Sequence, residues 1–208
     1  MSASSKTAGM VAFAQARKLD SRERLLNAAA VLFREHGYLP VSIDDVAAAS
    51  GVSRVTFYRH FANKAALAIA LFSLAAETAL PRYWRVRDDD FQDRAVIHAW
   101  LSELFLADRA DRRLLQVFTQ VNAVEPGFTQ SAHGFIGDII SGLGLRIPAF
   151  AVLPDVAGER RRWLQAWLLI YEILDQSNHA ARDVEPALDP LLIDILANKF
   201  FDFVNTPI

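Results

Sequence analysis

Gly51 constrains this chain more than any other single residue. It divides the stretch from Ser42 to Lys64, SIDDVAAASGVSRVTFYRHFANK, into two short helical runs. A helix must stop and reverse at this point, and only glycine enters the left-handed backbone region without steric cost. Upstream, Ser42 is placed to cap a helix, with Asp45 three residues on to complete a capping box. Asp44 and Asp45 suit the positive end of that helix dipole. Val46 and Ala47 face inward, and Val52, after the glycine, drops into the core. Ser53 caps the second helix. Phe57 and Phe61 are four apart and fall on one face, which makes them the buried anchors. Arg54, Val55, Thr56, Tyr58, Arg59 and His60 are left on the outer faces. Asn63 is a cap for the helix that follows.

Two short helices around a tight turn, the second crowded with hydroxyl, aromatic, basic and imidazole groups, have the make-up of a helix-turn-helix. The second helix of such a unit enters the DNA major groove and is held by contacts to phosphates. Lys64 lies in the first turn of the next helix, where the dipole disfavours a cation. It is read either as a solvated lysine or as a partner for a phosphate bound at the same helix end, and the phosphate reading is favoured.

Ser53-Arg54-Val55-Thr56-Phe57-Tyr58-Arg59-His60-Phe61, with Lys64 after it, resembles the recognition helix of the TetR/AcrR family of bacterial transcriptional regulators. Ile43, Val46-Ala47, Gly51-Val52-Ser53 and the helix Arg22–His36 fit as well, and the close match spans roughly Asp20 to Leu71. Val55 stands where the family often has a small residue, and Arg54 at a position that varies and tends to set sequence preference. The resemblance implies a flexible arm at 1–19, a DNA-binding head at 20–66, and a helical body at 67–208 that binds an effector and dimerises. It also implies that Ser42, Thr56, Tyr58, His60 and Lys64 hold phosphates while Arg54, Val55 and Arg59 reach base edges of a double-stranded operator. The function expected is a regulator, a repressor released by a small, largely apolar effector, with no cofactor and no metal.

Composition agrees. Of 208 residues, 52% are apolar, enough for a sizeable core. With no cysteine, disulfides, thiolate metal sites and a cysteine redox switch are excluded. No run of about eighteen apolar residues is evident, so no membrane span or membrane partner is expected and a cytoplasmic location is. Gly9–Ala14 is a short apolar patch without the long apolar region of a signal peptide, so 1–19 is expected to be a partly disordered arm. The net charge of −2 hides an asymmetry: residues 1–64 carry nine basic and five acidic side chains, and the excess acid lies beyond. A basic head on an acidic body orients a protein toward a polyanion.

The rest of the chain shows helical periodicity and no sustained two-residue alternation, giving an all-α fold of about nine helices. Helix one is expected over Ser21–His36, opened by Asp20 and Glu23 and ended by Gly37. A fourth runs from Asn63 toward Leu80, with Pro81 ending or kinking it. Asp88–Asp90 reads as a loop and helix start. Ile97, Trp100, Leu101, Leu104 and Phe105 make one face; Leu114, Val117, Phe118 and Val121 another; Phe128, Phe135, Ile136, Ile139, Ile140 and Leu143 a third. Ile147–Gly158 is a loop. Arg160–Ser177 is apolar around most of its circumference, and a last helix opens at Asp189-Pro190. A helix apolar on more than one face needs cover on more than one face. The expectation is a two-fold homodimer through Trp163, Trp167, Ile170, Leu192, Ile195, Leu196, Phe200 and Phe203, against the alternative of burial within one protomer.

Aromatic candidates for the effector site are Trp100, Phe105, Phe118, Phe128, Trp167 and Tyr171, with His133 as a polar handle; each competes with a plain core role. Two other classes were weighed. An enzyme needs a nucleophile with its base, a phosphate loop or a metal cluster, and none of the usual motifs occurs. A helical adaptor that has lost DNA binding would not be expected to keep Thr56, Tyr58, His60 and Lys64.

Overall fold

The computed structural model describes residues 3–85, 90–181 and 189–206. Among them there is no strand. The helices are α1 (Ala3–His36), α2 (Ile43–Ser50), α3 (Arg54–His60), α4 (Lys64–Tyr83), α5 (Arg94–Ala110), α6 (Arg112–Val124), α7 (Pro126–Gly144), α8 (Arg160–Ala180) and α9 (Asp189–Asn205). Two compact units form: Met1–Ser73 with Gln116–Phe128, and Leu74–Leu115 with Thr129–Ile208. The divisions fall inside α4, α6 and α7.

In the first unit, α1 departs from expectation at its start. Asp20 and Glu23 do not open a helix; the backbone is helical back to Ala3, through most of the stretch expected as an arm. The residues before Asp20 are largely Ala, Lys, Gln, Arg and Met, strong helix formers with no proline among them. Asp20 instead pairs with Arg24 one turn on, at 3.6 Å. Gly37 ends the helix at φ 84°. Leu25, Ala29 and Phe33 of α1, Val46 of α2, Phe57 of α3 and Leu67 of α4 are fully buried and make the core. Phe72, Phe118 and Phe128 pack around one another in the same unit, with ring centroids 4.8 to 6.0 Å apart.

Pro81 does not end α4 at Leu80. It sits in the last turn, and the amide of Trp84 still donates to the Leu80 carbonyl at 3.2 Å. Contrary to the sequence reading, α4 is by length and composition apolar enough to cross a membrane. Its Leu67, Ala68 and Leu71 are spent on the first unit's core and Tyr83 on that of the second.

In the second unit, α5 packs on α8 and α9. Ile97 and Leu101 of α5, Ile139 and Ile140 of α7, Ile170 and Ile173 of α8, and Leu196 and Phe200 of α9 share one apolar cluster. The segment 147–158 is a loop that contains a short 3-10 turn, Pro148–Phe150, and it buries Ile147 and Phe150 in the same cluster. A side chain at Gly142 would collide with the Trp84 indole. The buried Arg162 caps the end of α9, donating to the carbonyls of Phe203 and Thr206 beneath the Phe203 ring. A cation at a helix C-terminus meets the unpaired carbonyls and the negative dipole end together. Asp108 accepts a 2.6 Å hydrogen bond from the Ser177 hydroxyl, and burial holds its carboxyl above the usual range. All four tryptophans, Trp84, Trp100, Trp163 and Trp167, belong to this unit. Of the expected Asp88–Asp90 start, Asp88 and Asp89 lie outside the described residues, and Asp90 opens a short 3-10 turn.

Candidate nucleic-acid interface

The turn between α2 and α3 forms as its residues dictate. The Ser42 hydroxyl accepts from the Asp45 amide at 3.1 Å, and the Asp45 carboxylate accepts from the Ser42 amide at 2.8 Å. That capping box, with the Ser42 hydroxyl also donating to Asp45, holds the Asp45 carboxyl below its ordinary value. Gly51 takes φ 63° and closes α2 onto the carbonyls of Ala47 and Ala48. Glycine suits this position: the left-handed backbone strains other side chains, and a Cβ would push aside the Arg24 guanidinium, which donates to the Ser50 carbonyl at 2.5 Å. Ser53 caps α3, accepting from the Thr56 amide at 3.2 Å. Asn63 caps α4 through the Ala66 amide at 2.8 Å.

Phe57 and Phe61 anchor α3 from below, with ring centroids 5.8 Å apart. The opposite face is open. Val55 is 67% and Tyr58 47% exposed, and Arg54 and Arg59 are exposed beside them. Tyr58 stands edge-on against Phe57. Thr56 and His60 are half-buried, and the His60 Nε2 lies 2.8 Å from the Ser21 hydroxyl, a tie between α3 and α1. The Arg54 guanidinium does not stand free. Its Nη1 donates to both Asp44 carboxylate oxygens, at 2.5 and 2.6 Å, and its Nη2 lies 3.5 Å from the Tyr58 hydroxyl.

Lys64 contacts the protein's own backbone. Its ammonium donates to the carbonyls of Tyr38 at 2.9 Å, Leu39 at 3.2 Å and Val41 at 2.9 Å, and lies 4.2 Å from the Tyr38 ring centre. An ammonium has three donors, and these three carbonyls use all of them. In this structure Lys64 is a clip on the loop before α2, and burial lowers its pKa. The loop is also fastened by α6 and the residue that follows it: the Tyr38 amide donates to Gln120 Oε1 at 2.7 Å and the Tyr38 hydroxyl to Glu125 at 2.6 Å. Sequence spacing gave no signal for these roles of Tyr38, Gln120 and Glu125, because their partners lie 82 and 87 residues apart.

The seven effector candidates fall into three groups. Phe118 and Phe128 are in the first unit, packed around Phe72. Trp100 and Phe105 are buried in the core of the second, where the Trp100 indole donates to the Arg82 carbonyl at 3.0 Å. Only His133, Trp167 and Tyr171 meet and remain accessible: His133 stands edge-on to Trp167, and Tyr171 stacks on Trp167 at 5.2 Å. Three of the expected dimer contacts are also corrected. Ile170, Leu196 and Phe200 are 1%, 1% and 0% exposed, their surface already consumed within the protomer. Trp163, Trp167, Leu192 and Phe203 are half-buried and Ile195 is exposed. The apolar side chains that α8 and α9 leave open are Leu164, Leu168, Tyr171, Leu191 and Ile195.

The geometry of α1–α3 defines a class: a capped helix-turn-helix whose second helix rests on two buried phenyl rings and turns a basic, aromatic face outward. Residues 25–71 of this head match the bacterial regulatory proteins of the tetR family. The chain is similar to the HTH-type transcriptional regulator SAB2452 of Staphylococcus aureus, 27% identical over 55% of this chain and 61% of that one. It is also similar to the Transposon Tn10 TetC protein of Escherichia coli, 32% identical over 34% of this chain and 40% of that one. The chain spans 29 to 61% of the length of the curated relatives it matches. Similarity in fold extends further. GusR of Salmonella enterica superposes with a TM-score of 0.63 at 21% identity, covering 89% of this chain and 96% of its own. The transcriptional regulator RHA1_ro04179 from Rhodococcus sp. Rha1 does so at 0.60 and 21%, covering 88% and 95%.

Proposed function

We propose that this protein is a sequence-specific DNA-binding transcriptional regulator, a repressor that a small apolar effector releases from its operator. The observation that carries the reading is α3: Phe57 and Phe61 are sunk in the core while Arg54, Val55, Tyr58 and Arg59 face outward. A helix held this way presents side chains to major-groove base edges, and its flanking hydroxyls and amides to phosphates. Two copies, joined through Leu164 and Leu168 of α8 and Leu191 and Ile195 of α9, would read half-sites about 34–36 Å apart. The effector would enter the second unit, with His133, Trp167 and Tyr171 as its first contacts. It relieves binding only by preferring the conformer that holds DNA less well.

The test is fluorescence anisotropy on labelled duplexes from the DNA flanking the coding sequence, titrated at several salt concentrations. The expected result is an affinity that falls linearly on a log–log salt plot and that exceeds non-specific affinity by at least about 10³-fold. Equal, weak affinity for every duplex sinks the reading. Light scattering at binding concentrations is expected to give the mass of two chains.

A further inference from the structure

We infer that Asp44 is a specificity-determining residue that dedicates Arg54 to a guanine by holding one end of its guanidinium. The inference rests on the DNA-binding reading above and deepens it. An exposed arginine at the start of α3 is expected to swing among rotamers, to satisfy phosphates on either strand, and to discriminate poorly. Here it is not loose. Nη1 is seated between the two oxygens of a single carboxylate, at 2.6 and 2.5 Å. The chain of Arg54 leans over Tyr58, with its guanidinium carbon 5.7 Å from the ring centre.

The remaining donors decide what the group is able to read. With Nη1 held by Asp44, the pair of parallel N–H groups left to meet a base is the Nε/Nη2 edge, whose Nη2 also lies 3.5 Å from the Tyr58 hydroxyl, a long contact that a base acceptor can replace. Two parallel donors match the O6 and N7 acceptors of guanine, whereas adenine offers an amino donor where guanine has O6. The carboxylate at Nη1 also removes the competing use of Arg54 as a phosphate ligand, since a phosphate has to displace an anion already in place. Val55, beside it and 67% exposed, has neither donor nor acceptor and offers only apolar contact, the kind a thymine methyl provides.

Besides its charge at the positive end of the α2 dipole, Asp44 has no hydrogen-bonded partner described other than Arg54. The capping box of α2 is made by Ser42 and Asp45, and Asp44 takes no part in it. Asp44 and Arg54 are both well exposed, at 63% and 58% for their side chains, so their pairing adds little to fold stability. Its consequence is orientation.

The experiment selects duplexes from a random-sequence library with the wild type, Asp44→Asn, Arg54→Ala and the double variant, then measures affinity for the selected site and for its single-base substitutions. The wild type is expected to enrich one guanine per half-site that Arg54→Ala no longer requires, with discrimination there falling about 5- to 150-fold, ~1–3 kcal/mol. Asp44→Asn is expected to retain or raise total affinity, because an anion near the phosphates is lost, and to steepen the salt dependence as Arg54 turns to phosphate. Its preference for that guanine is expected to fall by about fivefold or more, at the low end of the range for a bidentate contact. In the Arg54→Ala background the same change is expected to do nothing to base preference. Unchanged guanine preference in Asp44→Asn, or an equal loss with and without Arg54, overturns the inference while leaving the DNA-binding reading intact. A wild type that enriches nothing and shows no salt-dependent affinity overturns both.

Discussion

The two units are held together by different means. In the first, polar side chains close on specific backbone atoms: Ser42 and Asp45 on each other's amides, Arg24 on the Ser50 carbonyl, Lys64 on three carbonyls, Gln120 on the Tyr38 amide, with Glu125 taking the Tyr38 hydroxyl. In the second, the larger part is an apolar cluster from Tyr83 to Phe200, to which Arg162 and the Ser177–Asp108 pair add polar contacts. Hydrogen bonds are directional and short, so they allow few alternatives at a position. Apolar burial is non-directional and accepts many side chains of about the right size. A surface that has to present side chains in one orientation is built the first way, and a core that mainly has to exclude water the second.

The sharpest way to break this comparison pairs two fully buried phenylalanines, Phe57 of α3 and Phe150 of the second unit. Each change to alanine is expected to cost about 3–5 kcal/mol in thermal or denaturant unfolding. Phe57→Ala is expected to abolish specific DNA affinity at temperatures where Phe150→Ala retains it. Equal loss of affinity in both would mean the difference between the units has no functional meaning. Next in size is Lys64→Met, which keeps the apolar stem and removes the ammonium. The carbonyls it serves lose their donor, at about 1–3 kcal/mol, so unfolding of the first unit is expected at lower denaturant. A variant of wild-type stability but weakened DNA binding would support the phosphate role read from the sequence.

The smallest effect belongs to Asp108. Its folded pKa is raised above the unfolded value of about 3.9. The stability it contributes is therefore complete below that pH and is lost as pH rises through the folded pKa. Asp108→Asn keeps an oxygen for the Ser177 hydroxyl without the charge. It is expected to melt higher than the wild type at pH 7, with the gap closing toward pH 4. A gap independent of pH would show that Asp108 is not a buried ionisable group of the kind described.

Legibility follows the same division. Local signals were readable: Ser42 with Asp45, Gly51, Ser53, Asn63, and the pair Phe57 and Phe61 all lie within a few residues of their partners. The contacts of Lys64 are not legible in the sequence, because the carbonyls that take its ammonium are more than twenty residues away, in a loop whose path the sequence does not show. Asp20 and Glu23 imitated a helix start, but a cap stabilises a start without stopping a helix that arrives from upstream. In α8 and α9 the periodicity identified apolar faces correctly. It did not tell which face the protomer covers, and so Ile170, Leu196 and Phe200 were assigned outward when neighbouring helices already enclose them.

The placement of the four indoles has an optical consequence. Since none lies among Met1–Ser73 or Gln116–Phe128, long-wavelength intrinsic emission is a private channel of one half of the molecule. Melting of the groove-reading half would pass unseen at that wavelength, whereas a quencher or small molecule settling beside the His133–Trp167–Tyr171 stack would be seen directly, with no label attached.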